Sequence, residues 1–98
     1  MLFHVTWDST DTSDEAQREG QAMLAKWQPP AGVEFKGFYS FVDGTGGVAI
    51  VEVDSAATLA RTIAPWTTSL SFTVTPILPI EEASAISAEA FAFRDSVG

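Results

Sequence analysis

The stretch Val33–Val53, VEFKGFYSFVDGTGGVAIVEV, decides the fold. Val33–Val42 alternates imperfectly, with Phe35, Gly37, Tyr39 and Phe41 on one face and Glu34, Lys36, Phe38 and Ser40 on the other, and a period of two marks a strand. Asp43-Gly44-Thr45-Gly46-Gly47 then supplies residues that tolerate positive φ, and Gly47–Val53 is again β-branched. Two strands joined by such a turn make a hairpin.

On the N-terminal side, Pro29, Pro30 and Gly32 stop a helix expected over Asp14–Gln28. Asp14 and Glu15 enrich its first turn, and Ala16, Met23, Leu24 and Trp27 recur near helical spacing. Before it, beyond the polar turn Ser9–Ser13, Leu2–Trp7 reads as a strand with Phe3, Val5 and Trp7 opposite Leu2, His4 and Thr6. On the C-terminal side, Asp54 or Ser55 can cap a second helix running through Ala64, with Leu59 and Ile63 facing the core, and Pro65 ends it. Leu70–Thr75 alternates Leu70, Phe72 and Val74 against Ser71, Thr73 and Thr75 as a fourth strand, closed by Pro76 and Pro79. An alanine-rich helix over Glu81–Phe93 follows.

The order β-α-β-β-α-β plus a C-terminal helix predicts an α+β, ferredoxin-like domain spanning residues 1–98. Its four-stranded antiparallel sheet should run 4-1-3-2, with both main helices on one face. Apolar residues also fall on the second face: Leu2, Val48, Ile50, and either Phe38 or the Phe35, Tyr39, Phe41 set. A large exposed apolar patch is unusual on a monomer, so a homodimer or higher homo-oligomer is expected to cover that face.

Composition narrows the function. With 98 residues, 46% hydrophobic and 18% charged, the chain can build one packed core. A net charge of −8 repels phosphate backbones and anionic membrane surfaces, which argues against nucleic acid and membrane partners. An RNA-recognition domain of the same element order would carry a basic aromatic motif on strand three, and Gly47–Glu52 has neither. The absence of cysteine removes disulfides, thiolate metal sites and a cysteine nucleophile. Met1–Trp7 has no basic leader region and no apolar run reaches membrane-spanning length, so a cytoplasmic location is expected.

Met1-Leu2-Phe3-His4-Val5, the hairpin leading to Val51-Glu52-Val53-Asp54, Trp66, and Phe72-Thr73-Val74-Thr75-Pro76-Ile77-Leu78 followed by Glu81-Glu82-Ala83 resemble a family of small dimeric α+β barrel proteins known only as a domain of unknown function. The N-terminal five residues are also similar to those of muconolactone isomerase. The wider superfamily includes antibiotic-biosynthesis monooxygenases and haem-degrading enzymes, in which two ferredoxin-like sheets close into a shared barrel beside pockets for small apolar or aromatic ligands. Fold membership alone does not specify the reaction.

Several residue groups are candidates for chemistry. If Phe3, Val5, Ala49, Val51 and Val53 form the layer beneath the helices, His4 and Glu52 both point into the dimer barrel. A histidine oriented by a carboxylate can serve as a general base, as a cofactor-independent isomerase, cyclase or monooxygenase requires. The plain alternative is a polar pair that satisfies itself inside an interface. Tyr39, Trp66, Phe38 and Ile50 are the expected ligand-lining residues, although core packing accounts for most aromatics. Asp8, Asp11 and Asp14 lack the spacing of a calcium loop and read as a helix-capping acidic turn. Gly44–Gly47 joins two strands without a following helix, which disfavours a phosphate cradle. One histidine and no cysteine leave neither a metal set nor a cofactor expected, and no serine-nucleophile motif occurs. The functional expectation is a homodimeric binder of a small apolar or aromatic molecule. The competing expectation is a non-catalytic oligomerisation or regulatory module.

Overall fold

A computed structural model describes residues 1–98, and its elements follow the expected order. They are β1 (Leu2–Ser9), α1 (Asp14–Lys26), β2 (Val33–Ser40), β3 (Gly46–Val53), α2 (Ala56–Ile63), β4 (Leu70–Pro76) and α3 (Ile80–Val97), with a 3-10 turn at Ala64–Trp66. The sheet order is β2-β3-β1-β4, with every neighbouring pair antiparallel. That is the 4-1-3-2 arrangement seen from the other edge, an α+β ferredoxin-like fold.

Local chemistry sets the boundaries. Ser13 caps α1 by accepting the Ala16 amide at 3.2 Å, and Ser55, not Asp54, caps α2 by accepting the Thr58 amide. The first helix ends at Lys26, two residues earlier than expected, because Trp27 turns extended ahead of the Gln28-Pro29 step. Strand β2 stops at Ser40, short of Val42, where the Phe41 and Gly46 backbones close the hairpin and Gly44 takes φ 75°.

The core lies between α2 and one sheet face. Phe3, Val5, Ala49, Val51, Val53 and Leu59 are buried together. Val5 pairs with Ala49 and Phe3 with Val51, so one face of β1 and β3 forms a continuous apolar floor. The ladder between β2 and β3 slips between Phe35 and Gly37, where Lys36 forms a bulge. The extra residue moves Phe38 to the helix side, opposite Ala49, and leaves Gly37 and Tyr39 on the other face. Phe35 and Phe38 consequently stack, with centroids 4.8 Å apart, and Trp7 meets Phe38 edge-on at 5.6 Å. Glycine is required at position 47, since a side chain there would collide with the Trp7 indole and the Tyr39 carbonyl.

Candidate functional site

The two helices over the sheet are built differently. Helix α2 buries Thr58, Leu59 and Thr62 against the floor. Helix α1 buries no residue at all. Its residues lining the space beneath include Ala16, Gln17, Gly20, Gln21 and Leu24, so it offers two polar amides and two small residues where a packed helix offers aliphatics. Such a stripe gains little by approaching the sheet. Helix α1 therefore bridges a gap instead of filling it. Its C-terminal end is held by Trp27, which meets Phe35 edge-on at 6.1 Å and Trp66 at 5.4 Å.

The gap is a cavity of about 970 Å³. Its floor is Val5, Ala49 and Val51, α2 adds Leu59 and Ile63, and the aromatic side chains of Trp7, Trp27, Phe35, Phe38, Trp66 and Phe72 line it. Trp66, Trp27, Phe35, Phe38 and Trp7 form a continuous ladder of edge-to-face and stacked rings along the wall. Ligand pockets of about 300–1,000 Å³ with mostly apolar walls and a few polar groups are of this kind. The polar groups here include the amides of Gln17 and Gln21, the hydroxyls of Ser9, Ser40, Thr62 and Ser69 and, on exposed residues, Asp11, Asp14 and Arg18. Arg18 is held by Asp14 at 2.7 Å in an exposed pair that contributes little to stability. The Asp11 carboxyl accepts the Ser13 amide and is held below the usual carboxylate range by that bond, reinforced by the Ser13 hydroxyl. The indole N–H of Trp66 is buried without an acceptor, an omission that costs about 1–3 kcal/mol.

The opposite face of the sheet carries no helix. There Gly37, Ile50, His4 and Thr75 form one row across the four strands, and Tyr39, Val48, Thr6 and Thr73 form the next. His4 and Glu52 share this face as diagonal neighbours on β1 and β3. They do not bond to each other: the Glu52 carboxylate accepts from the Met1 amine at 2.8 Å. Glu34 lies directly across from Glu52, a like-charge pairing that the Met1 amine and Lys36, 3.3 Å from Glu34, offset. The structure thus separates the residues singled out from sequence. Phe38 and Trp66 line the cavity, and Tyr39 reaches its rim from the edge strand. His4, Ile50 and Glu52 occupy the far side of the sheet. Trp7, Trp27, Phe35 and Phe72 complete the cavity wall. The readable signal for them is the stripe Gln17, Gly20, Gln21, which is too polar and too small to seat a helix.

A model of the domain of unknown function DUF3303 matches residues 1–91. The chain belongs to the DUF3303 family. The match covers the whole sheet, α1, α2 and the first two-thirds of α3, so cavity and open face both lie within the DUF3303 domain. No curated protein matches the sequence. No helix of this DUF3303 protein is long and apolar enough to cross a membrane.

Proposed function

We propose that this protein binds a small apolar or aromatic molecule in the cavity between α1 and the sheet, and that it works as a homodimer of the dimeric α+β barrel kind. The observation that carries the binding reading is the aromatic-walled space of about 970 Å³ beneath a helix that buries nothing. A planar ligand would fill the volume that α1 leaves open and stack against the ring ladder. An oxygen acceptor on the ligand would give the Trp66 N–H its missing partner once the ring turns toward the cavity.

The second copy would cover the helix-free face, with Leu2, Val48 and Ile50 at the contact. His4 and Glu52 would be enclosed there, and any proton transfer by His4 would act on a molecule held between the two sheets. The two faces thus make separable claims.

Titration with the neutral apolar probe N-phenyl-1-naphthylamine, followed by quenching of tryptophan fluorescence, tests the reading. The native chain should bind with a saturable signal. Gly20→Leu projects a side chain from the α1 stripe into the cavity and should weaken binding at least tenfold with the fold intact by circular dichroism. Unchanged affinity in Gly20→Leu overturns the cavity assignment. His4→Ala should leave probe affinity unchanged, and its loss would put the ligand on the open face instead.

A further inference from the structure

Helix α3 is an arm. Its 18 residues pack along no other element, and none of them is buried. The chain has a radius of gyration of 17.9 Å, against about 13 Å for a compact domain of this length, and extends 61 Å along its longest axis. An 18-residue helix is about 27 Å long, which accounts for the excess. The connection is short and stiff: Ile77 still bonds to the Leu2 carbonyl beside the sheet, and Pro79 follows two residues later.

The arm leaves apolar side chains in water, including Ile86 at 49% and Phe93 at 66% exposure. Their spacing is regular. Ala83, Ile86, Ala90, Phe93 and Val97 follow one another at steps of three, four, three and four, the a and d positions of a heptad repeat. In that frame Glu89 takes a g position and Arg94 the following e position. In a parallel pair of such helices, each g residue faces the e residue five places on in the other chain, so Glu89 meets the partner's Arg94 in both directions. An antiparallel pair would instead set g residues against g residues, and Glu82 and Glu89 are both acids. Phe91 and Ile80, also exposed, fall outside the seam, and the Arg94 guanidinium lies 4.9 Å from the Phe91 ring centroid.

We infer that α3 pairs in parallel and in register with α3 of a second copy, through the seam Ala83, Ile86, Ala90, Phe93 and Val97. This rests on the homodimer reading above, because about two heptads are too few to hold two chains together alone. Pairing through the open sheet face raises the effective concentration of the two arms. A parallel helix pair requires a twofold axis that runs along α3, and the open-face pairing must share that axis for one dimer to make both contacts.

The chain contains no cysteine, so single cysteines report the geometry directly. Full-length Ala83→Cys and Val97→Cys should each form disulfide-linked dimers on mild oxidation, since facing a positions fall within disulfide reach. An equal mixture of the two variants should give no cross-link between one variant and the other. Glu89→Arg and Arg94→Glu should each weaken the dimer about threefold by analytical ultracentrifugation, and the double variant should restore it. A native dimer that cross-links at neither position overturns the arm pairing and leaves the open-face dimer standing. A predominant cross-link between the two variants in the mixture means antiparallel arms and also overturns it. A monomeric native chain at micromolar concentration defeats both readings.

Discussion

Helices α1 and α2 cross the same sheet face, and only one of them is packed. Helix α2 presents Leu59 and Ile63 one turn apart, with Thr58 and Thr62 beside them, and the threonines bury their hydroxyls by bonding locally: Thr62 to the Thr58 carbonyl, Thr58 to Asp54. Helix α1 presents Gln17, Gly20 and Gln21, and its one large aliphatic on that side, Leu24, remains 46% exposed. The contrast shows that a helix need not be seated by its own residues to hold its place in a fold. Here a serine cap at one end and one tryptophan at the other span the interval. The interval is what remains for a ligand.

The comparison breaks most readily by truncation on either side. Leu59→Ala should cost about 2–5 kcal/mol in urea unfolding, because it empties a site in the packed core. Leu24→Ala should cost under about 1 kcal/mol, because its side chain is already half in water. Equal losses would mean that α1 is seated as firmly as α2. Gly20→Ala sharpens the point: an added Cβ meets nothing within 4 Å, so the usual helix-propensity gain of about 0.5–1 kcal/mol should appear in full. A loss on that substitution would mean the space is not there. The smallest effect concerns the cap of α1. The carboxyl of Asp11 titrates below its ordinary range in the folded chain, so its contribution is present above the ordinary carboxylate pKa and fades as pH falls through the depressed value. The stability difference between native chain and Asp11→Asn should shrink on acidification. A carboxyl titration of Asp11 by NMR at an unshifted midpoint would contradict the Ser13 contact.

Much of the architecture was legible because strong local signals agreed. Proline and glycine at 29–32, 65 and 76–79 punctuate the chain, and the alternation in Leu2–Trp7 puts Phe3 and Val5 on one face, which the structure makes the core side. Strand β2 is harder. Alternation through Val33–Val42 cannot reveal that Lys36 bulges, and one bulge transfers Phe38 from the open face to the cavity wall. The candidate site is half legible for the same kind of reason. Strand alternation puts His4 and Glu52 on one face, as the structure does, but side-chain pairing depends on reach, and the Met1 amine reaches Glu52. Periodicity in α1 marks Met23 and Trp27 as apolar, whereas the empty space depends on which stripe turns toward the sheet. The last helix runs Ile80–Val97, longer than the expected Glu81–Phe93, since no residue after Phe93 breaks it before Gly98.

Amide hydrogen exchange on the native chain, with and without saturating N-phenyl-1-naphthylamine, tests the cavity most directly. Without probe, amides of Gln17–Leu24 in α1 should exchange faster than those of Leu59–Ile63 in α2, since few buried contacts hold α1 closed. With probe, protection should rise across Gln17–Leu24 while α2 changes little. Protection that is equal in the two helices beforehand, or that rises only elsewhere on binding, would contradict the account.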